Sequence, residues 1–125
     1  MSPSVLIVDD EPAIRENLSR WLGKRGYEVI CTGTGQEALA VHEHRRVDVV
    51  LLDLGLPDIS GIEVLERLKA SPGAPAVIVL TARDDEATAL PRGVARPEAF
   101  VQKPVDLRDL EALVGSLVNA DRAQP

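Results

Sequence analysis

The chain has 125 residues, of which 45% are hydrophobic and 27% charged, with a formal net charge of −6; this fits one ordinary globular domain of about 100–150 residues. The 14 Lys and Arg against 20 Asp and Glu argue against nucleic-acid or anionic-membrane binding by this chain alone through bulk charge. One cysteine excludes an intrachain disulfide, no Cys/His spacing suggests zinc, and no apolar run nears the roughly 18 residues of a membrane span, so a cytoplasmic domain is expected.

Val5-Leu6-Ile7-Val8 is an apolar run that stops at Asp9-Asp10. It reads as a strand covered on both faces, as a parallel sheet requires. Pro12 suits a first helical position, and Ile14, Leu18, Trp21 and Leu22 then fall on one helix face. Gly26 stops that helix, with Tyr27 at the turn into a weaker strand, Glu28 to Thr32. Cys31 on this strand reads as an inert buried thiol. Thr32-Gly33-Thr34-Gly35 resembles half a phosphate loop but lacks a Lys-Ser/Thr sequel, so it reads as a turn. A second helix is expected from Gln36 to about Arg45. His42 and His44, two apart on it, do not share a face and make a poor metal pair. Val47 to Leu52 is a further strand, cut off by Asp53. Ser60-Gly61-Ile62-Glu63 is a capping-box pattern that opens a third helix with Ile62, Leu65 and Leu68 as its stripe. Ala76 to Leu80 is the next strand and ends at Thr81. Asp84-Asp85-Glu86 is a suitable acidic first turn, but Pro91 and Gly93 predict a short or broken fourth helix. Ala99 to Gln102 is a weaker last strand, followed by Lys103-Pro104. Asp106 caps a final helix with Leu107, Leu110, Leu113, Val114 and Leu117 as its stripe. The alternation is that of an open α/β sheet with helices on both faces. Residues 1–119 form the expected domain, and 120–125 a tail or the start of a linker.

In such sheets, ligands bind outside the carboxyl ends of the strands. Asp9 and Asp10, Asp53, Thr81 and Lys103 all stand there. Neighbouring carboxylates repel one another, and a hard cation such as Mg²⁺ relieves this while leaving room for phosphate oxygens. Lys103 and Thr81 supply a cation and a hydroxyl to a phosphoryl group. A carboxylate in this setting can itself be the nucleophile, and Asp53 is the best placed.

Asp9-Asp10, Asp53 with Leu56-Pro57 and Gly61 after it, Thr81-Ala82, and Phe100 followed by Lys103-Pro104 together resemble the receiver domain of response regulators in two-component signalling. The resemblance spans about residues 4 to 119. It implies a single five-stranded parallel sheet of flavodoxin-like (βα)5 topology, strand order 2-1-3-4-5. It further implies that Asp53 accepts a phosphoryl group from a histidine kinase or histidine phosphotransfer protein. Asp10 would bind Mg²⁺ directly, Asp9 mostly through water, and Asp53 and the Gly55 carbonyl would complete the set. Lys103 would pair with a phosphoryl oxygen, Thr81 would hydrogen-bond another, and Phe100 would turn inward behind it. Pro104 would hold Lys103 through a cis bond. The output would be carried by the face of the fourth helix, last strand and last helix, acting on an output domain or partner protein. The wording of residues 51–61 is similar to receivers fused to transcriptional activators, so any DNA binding would belong to another domain.

Departures are local. Arg96-Pro97 stands where many receivers carry Gly-Ala, which leaves dimerisation through the fourth-helix face open. Gly55 and Arg83 occupy the two positions that the family uses to set phosphoryl lifetime. Phe100 has a competing reading as a core side chain. An aspartate-nucleophile phosphohydrolase is disfavoured, because Gly55 stands where a second Asp would act as general acid. A degenerate receiver that works without phosphorylation is the other alternative, and the complete acidic site argues against it.

Overall fold

The computed structural model describes residues 2–82 and 90–122. Three aliphatic strands form the centre of the molecule: β1 (Ser4–Val8), β3 (Val49–Asp53) and β4 (Ala76–Thr81). Each is buried over almost its whole length, because each has a strand on both sides and helices above and below. The edges are β2 (Glu28–Thr32) and β5 (Ala99–Gln102). All pairings are parallel, in the order β2-β1-β3-β4-β5. This is the expected sheet.

The period of two along each strand divides the core. Leu6, Val8, Val50, Leu52, Val77 and Val79 face α2 (Gly35–His44) and α3 (Gly61–Ala70), where they meet Ala38, Val64, Leu65 and Leu68. Val5, Ile7, Val49, Leu51, Ile78 and Leu80 face α1 (Pro12–Lys24) and α4 (Leu107–Arg122), where they meet Leu18, Leu22, Leu110 and Val114. Trp21 packs at the rim of the second layer, with the Arg25 guanidinium 4.0 Å over its ring. Arg25 is also paired with Glu111, which ties α1 to α4.

Local chemistry sets the helix ends. Pro12 opens α1, and Gly26 follows it at φ 92°, a conformation glycine adopts without steric cost. Thr34 caps α2 by accepting from the Glu37 N–H (3.1 Å), so that helix starts one residue before the expected Gln36. The capping box at Ser60 is half formed. Its hydroxyl accepts from Ile62 N–H (3.2 Å), while Glu63 reaches Arg67 one turn on (4.0 Å). Asp106 caps α4 by accepting from Arg108 and Asp109 (3.0 and 3.1 Å). That helix runs to Arg122, past residue 120 where the sequence reading starts a tail.

Three expectations need correction or restriction. Cys31 is exposed, not buried. It lies on edge strand β2, whose outer residues no neighbouring strand covers, and its thiol lies 3.9 Å from the Arg15 carbonyl. Phe100 is 36% exposed on edge strand β5, which excludes the core reading. The acidic turn Asp84-Asp85-Glu86 and Arg83 lie outside the described residues. From residue 90 to residue 98 the chain is irregular and not helical, with a turn that has Gly93 at φ 87° and Val94 N–H bonded to the Pro91 carbonyl (3.4 Å). The unusual Arg96-Pro97 leads to Glu98, whose carboxylate takes Val77 N–H (2.6 Å) and Lys69 (2.6 Å) and fixes the entry to β5.

Candidate functional site

The carboxyl ends of β1, β3, β4 and β5 bring the expected residues together. Register alone does much of this: Asp53 pairs with Leu80, which puts Thr81 one step beyond, and Thr81 pairs with Gln102 next to Lys103. Lys103 N–H donates to the Thr81 carbonyl (2.7 Å), and the Lys103–Pro104 peptide is cis.

Asp9 is fully buried, Asp53 half-buried and Asp10 exposed, and one oxygen from each lies within 4.8 Å of the others. The Lys103 ammonium sits 3.0 Å from Asp9 Oδ2 and 3.2 Å from Asp53 Oδ2, with exposed Glu11 at 3.8 Å. Burial pushes the Lys103 pKa down, but the carboxylates of Asp9 and Asp53 outweigh it and hold the ammonium above its ordinary value of 10.5. Lys103 is therefore a fixed positive charge. Asp9 Oδ1 accepts from Glu11 N–H (2.9 Å). Among the described residues, Asp9 Oδ2, although beside Lys103, has no well-aligned hydrogen-bond partner. A buried carboxylate oxygen without one has capacity for a further cation or a water. Three hard oxygen donors, one of them under-satisfied, fit a small divalent ion of the Mg²⁺ kind.

The loop after β3 shapes the other side. Gly55 N–H donates to Asp53 Oδ1 (3.0 Å), leaving Oδ2 toward Lys103. The loop closes where Gly61 N–H meets the Leu54 carbonyl (3.2 Å). A Cβ at Gly61 would stand 2.4 Å from Leu54 Cα, so only glycine permits this closure. At Gly55 a Cβ would meet only Asp53 Oδ1, at an ordinary 3.7 Å.

Thr81 is buried at the strand end, whereas Phe100 stands outward on β5. His42 is engaged elsewhere, 2.8 Å from the Ser71 hydroxyl. Beside the site, an open groove of about 700 Å³ runs between α1 and the β5–α4 turn, lined by Ile14, Leu18, Trp21, Lys103, Val105 and Leu107. Trp21 thus shares a groove with Lys103.

Sequence reading missed two supporting residues. Arg15, assigned to the polar side of α1, donates from Nη1 to the Asp9 carbonyl (2.7 Å). Asp58 accepts from Gly35 and Gln36 N–H groups at the start of α2 (2.8 Å each). Partial desolvation pushes the Asp58 carboxyl up, but the N–H groups of Gln36, Gly35 and Ile59 prevail and hold it below its ordinary value of 3.8. The Asp58 contacts join segments more than twenty residues apart, and the Arg15 contact ends on a backbone carbonyl six residues back, so no side-chain pattern signals either. Among the described residues, no helix is long and apolar enough to cross a membrane.

The sequence profile of the response regulator receiver domain matches residues 5–115. The chain is 42% identical over 119 residues to the transcriptional regulatory protein KdpE of Mycobacterium tuberculosis, covering 95% of this chain and 52% of that protein. It is 39% identical over 115 residues to the sensory transduction protein RegX3 of Mycolicibacterium smegmatis, covering 92% and 50%. The chain thus spans about half the length of the curated relatives it matches. A CheY-like receiver domain from Methanospirillum hungatei superposes with a TM-score of 0.85 at 32% identity, covering 98% of each chain. The receiver domain of a LuxO repressor homologue from Vibrio parahaemolyticus gives 0.86 at 27% identity, covering 98% of this chain and 94% of that one. With its sheet order, its strand-end carboxylates and these matches in agreement, the chain belongs to the response regulator receiver domain family.

Proposed function

We propose that this receiver domain is phosphorylated on Asp53 in an Mg²⁺-dependent reaction. The observation that carries the reading is Lys103, whose ammonium lies within 3.2 Å of both Asp9 and Asp53, two of the three carboxylates that cluster with Asp10. Asp9, Asp10, Asp53 and the Gly55 carbonyl would hold the cation. When bound, it would offset carboxylate charge and the charge of phosphoryl oxygens.

The chain's own groups do the rest. Gly55 N–H holds Asp53 Oδ1, so Oδ2 is the attacking atom. It forms an O–P bond as the P–N bond of a phosphohistidine breaks, and the departing imidazole nitrogen takes up a proton. Lys103 then exchanges a carboxylate partner for a phosphoryl oxygen, and the Thr81 hydroxyl donates to another. The added charge of about −1.5 to −2 draws both groups toward Asp53. Phe100, now outward, turns in behind Thr81. A tenfold change of output needs a bias of about 1.4 kcal/mol between the two conformations, within reach of a few such bonds.

The phosphodonor is a histidine kinase or histidine phosphotransfer protein, and the readout is an output domain or partner protein acting through the β5–α4 side. The domain occupies residues 1–119, with its last helix continuing to Arg122 and the residues after 119 a tail or the start of a linker, and it works in the cytoplasm as a signalling module, not as a turnover enzyme. The chain is tested with acetyl phosphate and Mg²⁺, read by intact-mass spectrometry. The wild type gains one phosphoryl group; Asp53→Asn and EDTA-treated wild type do not. An unmodified wild type, or a modified Asp53→Asn, overturns the reading.

A further inference from the structure

The turn Thr32-Gly33-Thr34-Gly35 has no assigned role, yet both halves of the site rest against it. On one side, a Cβ at Gly33 would stand 3.1 Å from Arg15 Nη1. Gly33 thus makes room for the guanidinium that binds the Asp9 carbonyl (2.7 Å). Asp9 N–H also donates to the Thr32 carbonyl (3.2 Å). On the other side, a Cβ at Gly35 would fall 2.6 Å from Ile59 and 2.8 Å from Val64. Gly35 and Gln36 N–H groups are both held by Asp58, in the loop that follows Asp53 and contains Gly55.

We infer that this turn is a strut that sets the spacing of the acidic pair from the phosphoacceptor, with Arg15 and Asp58 as the positioning residues at its two ends. Neither residue is proposed to touch metal or phosphoryl group. Asp58 acts through the loop to Gly55 and Asp53. Arg15 acts through the backbone of Asp9. Glycine at 35 leaves the space that the Ile59 and Val64 side chains fill, and glycine at 33 lets the Arg15 guanidinium lie close against the turn. The inference rests on the metal and phosphoryl reading of the site, but the geometry can be tested without either.

Asp58→Ala and Arg15→Met are compared with the wild type in the 125-residue chain. Amide hydrogen exchange is followed by NMR without metal at Gly55, bonded to Asp53, and at Glu11, bonded to Asp9. Asp58→Ala should speed exchange at Gly55 and Arg15→Met at Glu11, each by about fivefold, the scale of losing one helix cap. Amides of β1 and β3 should keep their rates, which separates positioning from general loss of stability. Mg²⁺ affinity by calorimetry should weaken in both variants, and Asp58→Asn, which keeps one acceptor oxygen, should recover part of the loss. Unchanged exchange at Gly55 in Asp58→Ala and Asp58→Asn overturns the inference, as does unchanged Mg²⁺ affinity in both end variants. Should the wild type itself fail to bind Mg²⁺, the metal reading falls, and the exchange rates still decide the strut.

Discussion

Removing the ammonium of Lys103 isolates the charge balance of the site. Lys103 Nζ lies 3.0 Å from Asp9 Oδ2 and 3.2 Å from Asp53 Oδ2; the Asp9 side chain is fully buried and that of Lys103 is 16% exposed. Lys103→Met keeps an unbranched apolar side chain and deletes only the charge. At an effective dielectric of about 20, each contact carries about 5 kcal/mol of gross attraction. Desolvation cancels most of it, and breaking a fully buried pair costs about 3–5 kcal/mol. This site opens to solvent at exposed Asp10 and Glu11, so a loss of about 2–3 kcal/mol is expected. Urea unfolding in EDTA, followed by circular dichroism, measures it, and the m-value should not change. Mg²⁺ then replaces the missing charge. A ligand at 100 times its Kd adds about 2.7 kcal/mol, and the variant, with no ammonium competing, gains more than the wild type. The stability gap should therefore narrow as Mg²⁺ is added. A variant as stable as the wild type in EDTA, or a gap indifferent to Mg²⁺, refutes the reasoning.

Glycine substitutions separate the base of the phosphoacceptor loop from its tip. Gly61→Ala drives a Cβ into the Leu54 backbone and should cost about 2–4 kcal/mol in urea unfolding, whereas Gly55→Ala, with ordinary contacts, should change stability by less than about 0.5 kcal/mol. Asp58 has a lowered folded pKa, so its stabilising effect is fully present above its ordinary value of 3.8 and is lost as pH falls through the lower folded value. The stability difference between wild type and Asp58→Asn should accordingly hold at neutral pH and vanish in acid; a difference that persists below that range contradicts the assignment. Exposed Cys31 should react with a thiol reagent in native protein at a rate near that of the unfolded chain, and protection until unfolding would contradict the edge-strand account.

The central strands and the strand-end site were legible because their signals are local. Uninterrupted aliphatic runs such as Val5 to Val8 mark strands covered on both faces, and the polar residue that ends each run marks the functional edge. Register then converts sequence position into proximity, as with Asp53, Thr81 and Lys103. Side chains whose setting depends on a distant element were not legible. Cys31 looks like a core residue until the sheet order leaves β2 at an edge. Phe100 is exposed for the same reason on β5. Asp58 looks like an ordinary surface charge because its partners, the Gly35 and Gln36 N–H groups, come from another segment, and Arg15 does so because its partner, six residues back, is the Asp9 backbone carbonyl. The Gly33 and Gly35 pattern suggested only a turn, since the side chains that need the space lie on α1 and in the loop before α3.

The central claim is that Asp53 is the phosphoacceptor. Borohydride reduces an aspartyl-phosphate to homoserine, so treating the acetyl phosphate-modified chain and mapping its peptides locates the group directly. The account predicts homoserine at residue 53, dependent on Mg²⁺. Homoserine at Asp9 or Asp10, or none in a chain that has gained a phosphoryl group, would contradict it.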